Sequence, residues 1–217
     1  LAAVYANEWG RYEDALAEIR TAEPLSATGA TTAWVKINAL LALGRTAEAK
    51  RALGDPRFRS EFDPYASVQR ARIAWFERDG ATLRAEVERA TSRGGEHAYR
   101  MLEEQAGIAM IEGRAVDSRR LYGEALALAA TVGDARDVAT THLVHALAEA
   151  AVGYGAEAKR AAAAGLQSVR DRDTYLRAAM ACALAGDRLE ARRLFQRAQA
   201  AETYSARTDG IWILTVG

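Results

Sequence analysis

A glycine recurs along this chain at intervals close to 34 residues, each time between two apolar stretches of helical periodicity. The six glycines are Gly10, Gly44, Gly80, Gly113, Gly153 and Gly186, with spacings of 34, 36, 33, 40 and 33 residues. Such a period is typical of arrays in which one helix–turn–helix unit stacks on the next. It predicts paired helices with a glycine at each turn, because glycine accepts the left-handed conformation that ends a helix.

The side chains that follow each glycine also repeat. A small residue stands five positions after every glycine, and in three units a large one follows four later and a small one three beyond that. After Gly186 these residues are Ala191, Phe195 and Ala198, whereas counting from Gly80 places Arg89 at the large position. Small side chains let two helices approach closely and large ones fill the adjacent groove, so the pattern predicts tightly paired helices.

The periodicity predicts about eleven helices and no strand, and therefore an all-α protein. Paired helices are expected near 33–43 and 46–53, 65–79 and 82–91, 97–112 and 115–131, 135–152 and 156–169, and 174–185 and 188–201. Asp187 is expected to cap the last of these. Pro56 and Pro64 bracket a predicted linker. Residues 1–217 are expected to form a single elongated repeat domain, and the abrupt ends suggest a fragment of a longer protein.

The period and the small–large–small pattern after Gly186 resemble the second helix of a tetratricopeptide unit. This resemblance implies an α-solenoid of about five to six helix–turn–helix repeats. Residues 146–217, with Ala183-Leu184-Ala185-Gly186-Asp187 and Asp209-Gly210-Ile211-Trp212, also resemble the C-terminal repeat arrays of bacterial serine/threonine kinases and winged-helix regulators. The second resemblance implies a regulatory role. The sequence itself carries none of the kinase motifs His-Arg-Asp, Asp-Phe-Gly and Val-Ala-Ile-Lys.

Composition narrows the possible partners. Lys and Arg number 29 and Asp and Glu number 29, so the net charge is zero. Nucleic acid is therefore not expected as a partner, since phosphate binding depends on a surplus of basic residues. No apolar run approaches the roughly 18 residues that cross a bilayer, so membrane insertion is not expected. Cys182 is a single cysteine and needs no oxidising compartment. A cytoplasmic location is predicted, with a membrane-anchored parent protein as the alternative.

The tetratricopeptide resemblance implies a partner-binding inner curve lined mainly by the first helix of each unit. Alignment from the glycines places Asn7, Trp34, Asn38, Arg70, Glu77, Arg100 and Glu103 there. Asn38 matches an asparagine used by arrays that clamp a peptide carboxylate. The basic residues of that clamp are missing from the matching positions, and Trp34 stands one turn earlier. Trp34 is then either an aromatic anchor for a partner or a packed core residue.

Two other polar motifs have simpler structural interpretations. His142, His145 and Glu149 share one helical face and could offer a metal two imidazoles and a carboxylate, but no fourth ligand is indicated. Gly153-Tyr154-Gly155 fits a loose dinucleotide pattern, but an alanine-rich helix precedes it where a strand is required. Neither motif predicts a cofactor.

Two further candidates remain. Cys182 could be a nucleophile, yet a small core residue is the favoured interpretation because no base is indicated nearby. The arginines of the last helix form either a solvated face or a patch for an acidic partner. They are Arg188, Arg192, Arg193 and Arg197. No catalytic site is predicted, and the expected function is a protein-binding scaffold, with the regulatory region of a kinase or transcription regulator as the alternative.

Overall fold

The computed structural model describes residues 10–22, 30–55 and 64–201. Within these ranges the chain forms eleven helices and no strand. The helices are α1 (Tyr12–Ala22), α2 (Ala30–Ala42), α3 (Thr46–Leu53), α4 (Pro64–Phe76), α5 (Gly80–Arg93), α6 (Gly95–Ile111), α7 (Ala115–Val132), α8 (Ala135–Ala151), α9 (Gly155–Ser168), α10 (Arg172–Leu184) and α11 (Arg188–Ala200). The all-α prediction is confirmed for this part of the chain. Three parts of the sequence prediction lie outside the described residues: Asn7, the linker after Asp55, and the segment Asp209-Gly210-Ile211-Trp212.

The chain divides into two compact units, residues 1–97 and 98–217. In the first unit, α1 packs on α2, α2 on α3, α3 on α4 and α4 on α5, and α2 also contacts α4. In the second unit, α7 packs on α8, α8 on α9, α9 on α10 and α10 on α11, and α8 also contacts α10. Each of these helices therefore contacts its neighbours in sequence, and next-but-one helices also meet in both units, including α6 and α8 through Arg100 and Asp137.

Five turns between helices share one backbone conformation. At Gly186, whose φ is 81°, the N–H bonds to the Ala183 carbonyl at 3.0 Å, and the following Asp187 N–H bonds to the Cys182 carbonyl at 2.9 Å. The same pair of hydrogen bonds closes the turns at residues 44, 78, 113 and 153. This arrangement satisfies carbonyls left unpaired at a helix end, and it requires a residue with positive φ.

The third turn corrects the sequence prediction. Its left-handed residue is Arg78, with φ 59°, and not Gly80, which is the first residue of α5. Counting from Arg78 places Val87 at the large position and Ala90 at the small position beyond it, and Ala90 is fully buried. The register from Arg78 therefore removes the mismatch at Arg89, but it places Leu83 at the first small position of the pattern.

Aspartates cap several helices. The Asp187 carboxylate accepts a hydrogen bond from the Glu190 N–H at 3.1 Å, which confirms the predicted cap of α11. Asp79, Asp134 and Asp171 cap α5, α8 and α10 in the same way. Each carboxylate satisfies an N–H that has no partner within its helix.

The small residues of the repeat lie where helices approach closely. Ala49 and Ala158, five residues after their turn glycines, are fully buried. Gly165, twelve residues after Gly153, lies so close to α8 that an added Cβ would come within 3.0 Å of the Leu143 Cγ. The large residue Tyr122, nine residues after Gly113, is buried as well. Side-chain size at these positions thus sets how closely neighbouring helices can pack.

None of the helices in the described ranges is both long enough and apolar enough to cross a bilayer.

Candidate functional site

A groove of about 530 Å³ opens in the first unit between α3, α4 and α5. Its floor is apolar and includes the buried side chains of Ile73 and Ala74. Its charged rim combines Lys50 and Arg70 with Glu77 and Asp79. Two of the predicted site residues, Arg70 and Glu77, therefore line one concave surface.

Arg70 is held in the groove by two neighbours. Its Nε donates to Glu86 Oε2 at 3.0 Å, and its Nη2 donates to Ser67 Oγ at 3.0 Å. Glu86 is almost fully buried and also accepts a bond from Arg89. Two guanidinium groups therefore compensate one buried carboxylate, and Arg70 is the one of the two that lines the groove.

Three further residues on the rim of the groove carry charges of both signs: Lys50, Glu77 and Asp79. Lys50 Nζ contacts Glu77 Oε2 at 2.5 Å, and more than half of the Lys50 side chain is exposed. Asp79 accepts hydrogen bonds from the Thr82 hydroxyl at 2.6 Å and the Thr82 N–H at 3.0 Å, and these bonds lower the pKa of its carboxyl. The rim can therefore pair with both acidic and basic groups of a ligand.

Trp34 and Asn38 belong to α2. Trp34 is half-buried and packs against the core of the first unit. Asn38 Oδ1 accepts hydrogen bonds from Gln69 Nε2 at 3.1 Å and from Arg72 Nη1 at 2.6 Å, both on α4. The Asn38 oxygen therefore joins two helices, and Arg72 is a basic neighbour that the sequence alignment did not identify.

Arg100 and Glu103 belong to a buried cluster in the second unit. Arg100 Nη2 donates to Asp137 Oδ1 at 2.8 Å, and only 11% of the Arg100 side chain is exposed. Glu103 accepts a hydrogen bond from the Thr141 hydroxyl, and burial raises the pKa of its carboxyl. These two predicted residues connect α6 to α8, and little of either side chain is open to solvent.

The second unit contains another buried acid, Glu149. Arg119 contacts both carboxylate oxygens, at 2.7 and 2.9 Å, and His145 Nε2 lies 3.0 Å from Oε1. The His145 ring stacks on Tyr122 with 4.5 Å between ring centroids. Burial raises the Glu149 pKa, but the bonds from Arg119 and His145 more than offset it and leave the pKa below its ordinary value. The fully buried Glu149 carboxylate is therefore paired with Arg119, whose own side chain is 37% exposed.

The structure places the other candidate residues in helical contexts. Among the described residues, no three histidine, cysteine or acidic side chains are gathered as a metal would require. The helix α8 precedes Gly153, so no strand leads into the dinucleotide-like sequence. Cys182 is buried, and burial raises the pKa of its thiol, which disfavours the reactive thiolate.

The four arginines of α11 lie outside its packed side. Arg193 contacts Glu190 at 2.6 Å within the same helix. Leu194 and Ala198 form the buried side of this helix. The arginine side chains therefore surround the solvent-facing part of α11.

One recurring ion pair was missed by the sequence analysis. Gly10 also has a positive φ, which gives six turn residues with the five described above. The residue six positions after the turn residue is basic in five of these six cases, and Leu16 is the exception. Lys50, Arg119 and Lys159 occupy this position, and they contact Glu77, Glu149 and Asp187, respectively. Each pair joins the second helix of one hairpin to the next hairpin. The basic period is visible in the sequence once Arg78 replaces Gly80 as the reference.

The described residues thus define an all-α protein whose helix hairpins share one turn, with a polar groove in the first unit and buried charge clusters in the second. No family model matches the chain, and no curated protein matches it in sequence.

Proposed function

We propose that this chain is a tetratricopeptide-like scaffold that binds a protein or peptide partner. The observation that supports this most strongly is the recurrence of one hydrogen-bonded turn at residues 44, 78, 113, 153 and 186. Identical turns joining helices that contact mainly their sequence neighbours are expected of a stacked repeat array. Such arrays present extended surfaces that can bind a segment of another protein.

The groove in the first unit is the proposed contact surface. Its apolar floor can accept a side chain of the partner, and its rim offers both charges. Trp34 and Asn38 add an aromatic ring and an amide on the neighbouring helix α2. In this proposal Arg100 and Glu103 hold α6 against α8 and do not contact the partner, because both side chains are buried.

The test is selection from a random library of short displayed peptides against the purified chain. Lys50→Glu reverses an exposed charge on the groove rim, and Arg120→Glu reverses an exposed charge in the second unit. Fluorescence anisotropy should show selected peptides bound at least about fivefold more weakly by Lys50→Glu, a loss of about 1 kcal/mol. Arg120→Glu should bind them as the parent chain does.

Two results would contradict this proposal. One is that no peptide is enriched above a control protein. The other is that both charge reversals weaken binding equally, because the effect would then be general electrostatics and not contact with the groove.

A regulatory role within a larger signalling protein is the second proposal. It is supported by the resemblance of residues 146–217, which include the turn at Gly186, to repeat arrays of bacterial kinases and winged-helix regulators. Sequencing the coding region on the 5′ side of Leu1 tests it. A kinase or winged-helix domain in the same reading frame is the expected result, and an upstream region that encodes neither domain would contradict this proposal.

A further inference from the structure

The ion pair between Arg119 and Glu149 differs from the equivalent pairs between hairpins, because a histidine shares its carboxylate. Arg119 Nε donates to Glu149 Oε1 at 2.7 Å, and His145 Nε2 lies 3.0 Å from the same oxygen. The acids of the equivalent pairs, Glu77 and Asp187, have no histidine contact among the interactions described. The Glu149 carboxylate therefore has two candidate cations, an arginine and a histidine.

The two candidate cations differ in how easily they can leave the carboxylate. Arg119 also donates to Glu149 Oε2 at 2.9 Å, but its side chain is partly exposed, so the guanidinium can regain hydration. The His145 side chain is only 18% exposed, and its ring stacks on Tyr122 with 4.5 Å between ring centroids. Arg119 is therefore the partner that can be displaced.

Charged and titratable groups lie around His145 on each helix packed against α8 and on α8 itself. They are Glu103 and Glu104 of α6, Arg119 and Tyr122 of α7, His142 and Glu149 of α8, Glu157 of α9 and Cys182 of α10. Burial lowers the pKa of His145, Glu149 raises it, and the charge of Arg119 lowers it further, with a net shift below the ordinary value of 6.5. At neutral pH the imidazole is therefore uncharged, and Arg119 is the cation that compensates Glu149.

A proton on His145 changes the balance of charge at Glu149. A neutral imidazole beside a carboxylate carries its hydrogen on Nε2, since an ionised carboxylate only accepts. Protonation therefore adds a hydrogen at Nδ1 and keeps the contact with Glu149. The imidazolium is attracted to the carboxylate and to the ring face of Tyr122, and it repels Arg119 at the shared oxygen. Two cations then compete for one carboxylate, and hydration favours the departure of the exposed one.

Arg119 also contacts the turn that leads into α9. Its guanidinium lies over the ring of Tyr154, 4.7 Å from the centroid, and Tyr154 is the residue directly before this helix. We name the contacts of Arg119 with Glu149 and Tyr154 the Arg119 joint. One side chain thus connects α7 to α8 and to the start of α9.

We propose that His145 is a proton-operated switch for the Arg119 joint: protonated His145 replaces Arg119 as the cation of Glu149, and Arg119 leaves both Glu149 and Tyr154. Acidification then loosens the connection between α7 and the following hairpin, while Glu149 stays compensated. The Arg119 joint and the groove of the first unit share no residue, so the switch does not depend on the function proposed for that groove.

Titration of the full 217-residue chain by nuclear magnetic resonance tests the switch without any substitution. Between about pH 4.5 and 8, the ring signals of Tyr154 should shift with the same midpoint as those of His145, because the guanidinium leaves the Tyr154 ring. In His145→Gln the Tyr154 signals should stay constant over this range. His142→Gln is the matched control, three residues earlier on the same helix, and it should keep the Tyr154 response.

Reciprocal coupling supplies a second test. Arg119→Gln removes the charge that repels the imidazolium, so His145 should bind its proton at least about tenfold more tightly, a rise of about one pH unit in its midpoint. Arg120→Gln removes a neighbouring exposed charge that pairs with Glu124, and it should leave the midpoint unchanged. Circular dichroism should show the parent helix content in every variant.

Three results would overturn the proposal. They are Tyr154 signals that do not follow His145 in the parent chain, a His145 midpoint unmoved by Arg119→Gln in a folded variant, and equal loss of the Tyr154 response in His142→Gln and His145→Gln. The parent titration decides the proposal by itself if Arg119→Gln does not fold. Peptide binding by the groove at neutral pH would be unaffected in each case.

Discussion

Glu149 shows how a single buried charge constrains this protein. Its side chain has no exposed surface, and Arg119 and His145 supply its hydrogen bonds. An ionised carboxylate in such a place is tolerated only when it is paired, because its desolvation costs several kcal/mol. Most of the free energy lost on removing Arg119 would therefore come from the carboxylate left behind.

Arg119→Ala should lower the free energy of unfolding by about 3 kcal/mol, since it leaves a buried carboxylate without its cation. Arg120→Ala is the control on the same helix, because Arg120 contacts only the exposed Glu124 at 2.6 Å among the interactions described. The control should change stability by less than about 1 kcal/mol. Urea titrations followed by circular dichroism measure both, and equal losses would contradict this account of Glu149.

Glu103 differs from Glu149 because burial outweighs its hydrogen bonds. Thr141 and Arg100 both stabilise the carboxylate, yet burial keeps its pKa above the ordinary value of 4.5. The folded chain therefore binds this proton more tightly than the unfolded chain does. Its contribution to stability is present below pH 4.5 and is lost as pH rises through the folded-state pKa.

Glu103→Gln should remove this contribution, because the amide keeps an oxygen that can accept the Thr141 hydroxyl and has no proton to lose. The stability of the variant relative to the parent should therefore rise as pH increases from about 4 to 7. Denaturant titrations at several pH values measure the difference. A difference that stays constant or falls over this range would show that the carboxyl pKa is not raised.

At the scale of elements, the helix ends define the repeat. The same two hydrogen bonds close the five turns, and four of the five left-handed residues are glycines. Arg78 is the exception, and a side chain in this conformation costs about 1–2 kcal/mol. The turn geometry is therefore imposed at Arg78 by the packing of α4 and α5.

Arg78→Gly should raise the free energy of unfolding by about 0.5–1 kcal/mol, because relief of the backbone conformation exceeds the added flexibility of the unfolded chain. Gly44→Ala makes the reverse change at the equivalent position, where an added Cβ would contact nothing within 4 Å. It should destabilise the chain by about 1 kcal/mol. Thermal unfolding of both variants is the measurement, and a destabilised Arg78→Gly would refute the assignment of this turn.

At the scale of the molecule, helices contact mainly their neighbours in sequence. In the second unit α10 packs on α8, α9 and α11, and Leu194 of α11 belongs to the core that joins these helices. In a stacked array, stability is a sum of local and nearest-neighbour contributions. Loss of packing at α11 should then destabilise the adjacent helices more than the distant helices of the same unit.

Leu194→Ala should cost about 2–4 kcal/mol locally, because it removes most of a buried side chain. Hydrogen exchange should accelerate more in α10 and α11 than in α7, since separate regions of an array can open separately. Tyr12→Ala, in the first unit, should leave exchange in α10 and α11 unchanged. Equal acceleration in every helix of the second unit would indicate one cooperative bundle and contradict the repeat array.

The recurring turns also show why part of the candidate site escaped prediction. Arg70 and Glu77 could be predicted because Arg70 lies on the first helix of a unit and Glu77 directly follows the end of that helix. Lys50 and Asp79 were missed because they reach the groove from α3 and from the start of α5. Arg100 and Glu103 were correctly placed on α6, but their partners Asp137 and Thr141 are distant in sequence, so their burial was not apparent.

The order of amino acids was sufficient to specify the all-α class, the approximate ends of the helices and the period, because side-chain periodicity and turn residues act over a few positions. Packing between distant residues decided the rest. It selected Arg78 over Gly80 as the left-handed residue, and it buried Glu149 beneath Arg119. These outcomes depend on which helices meet and how closely, and local sequence carries no such information.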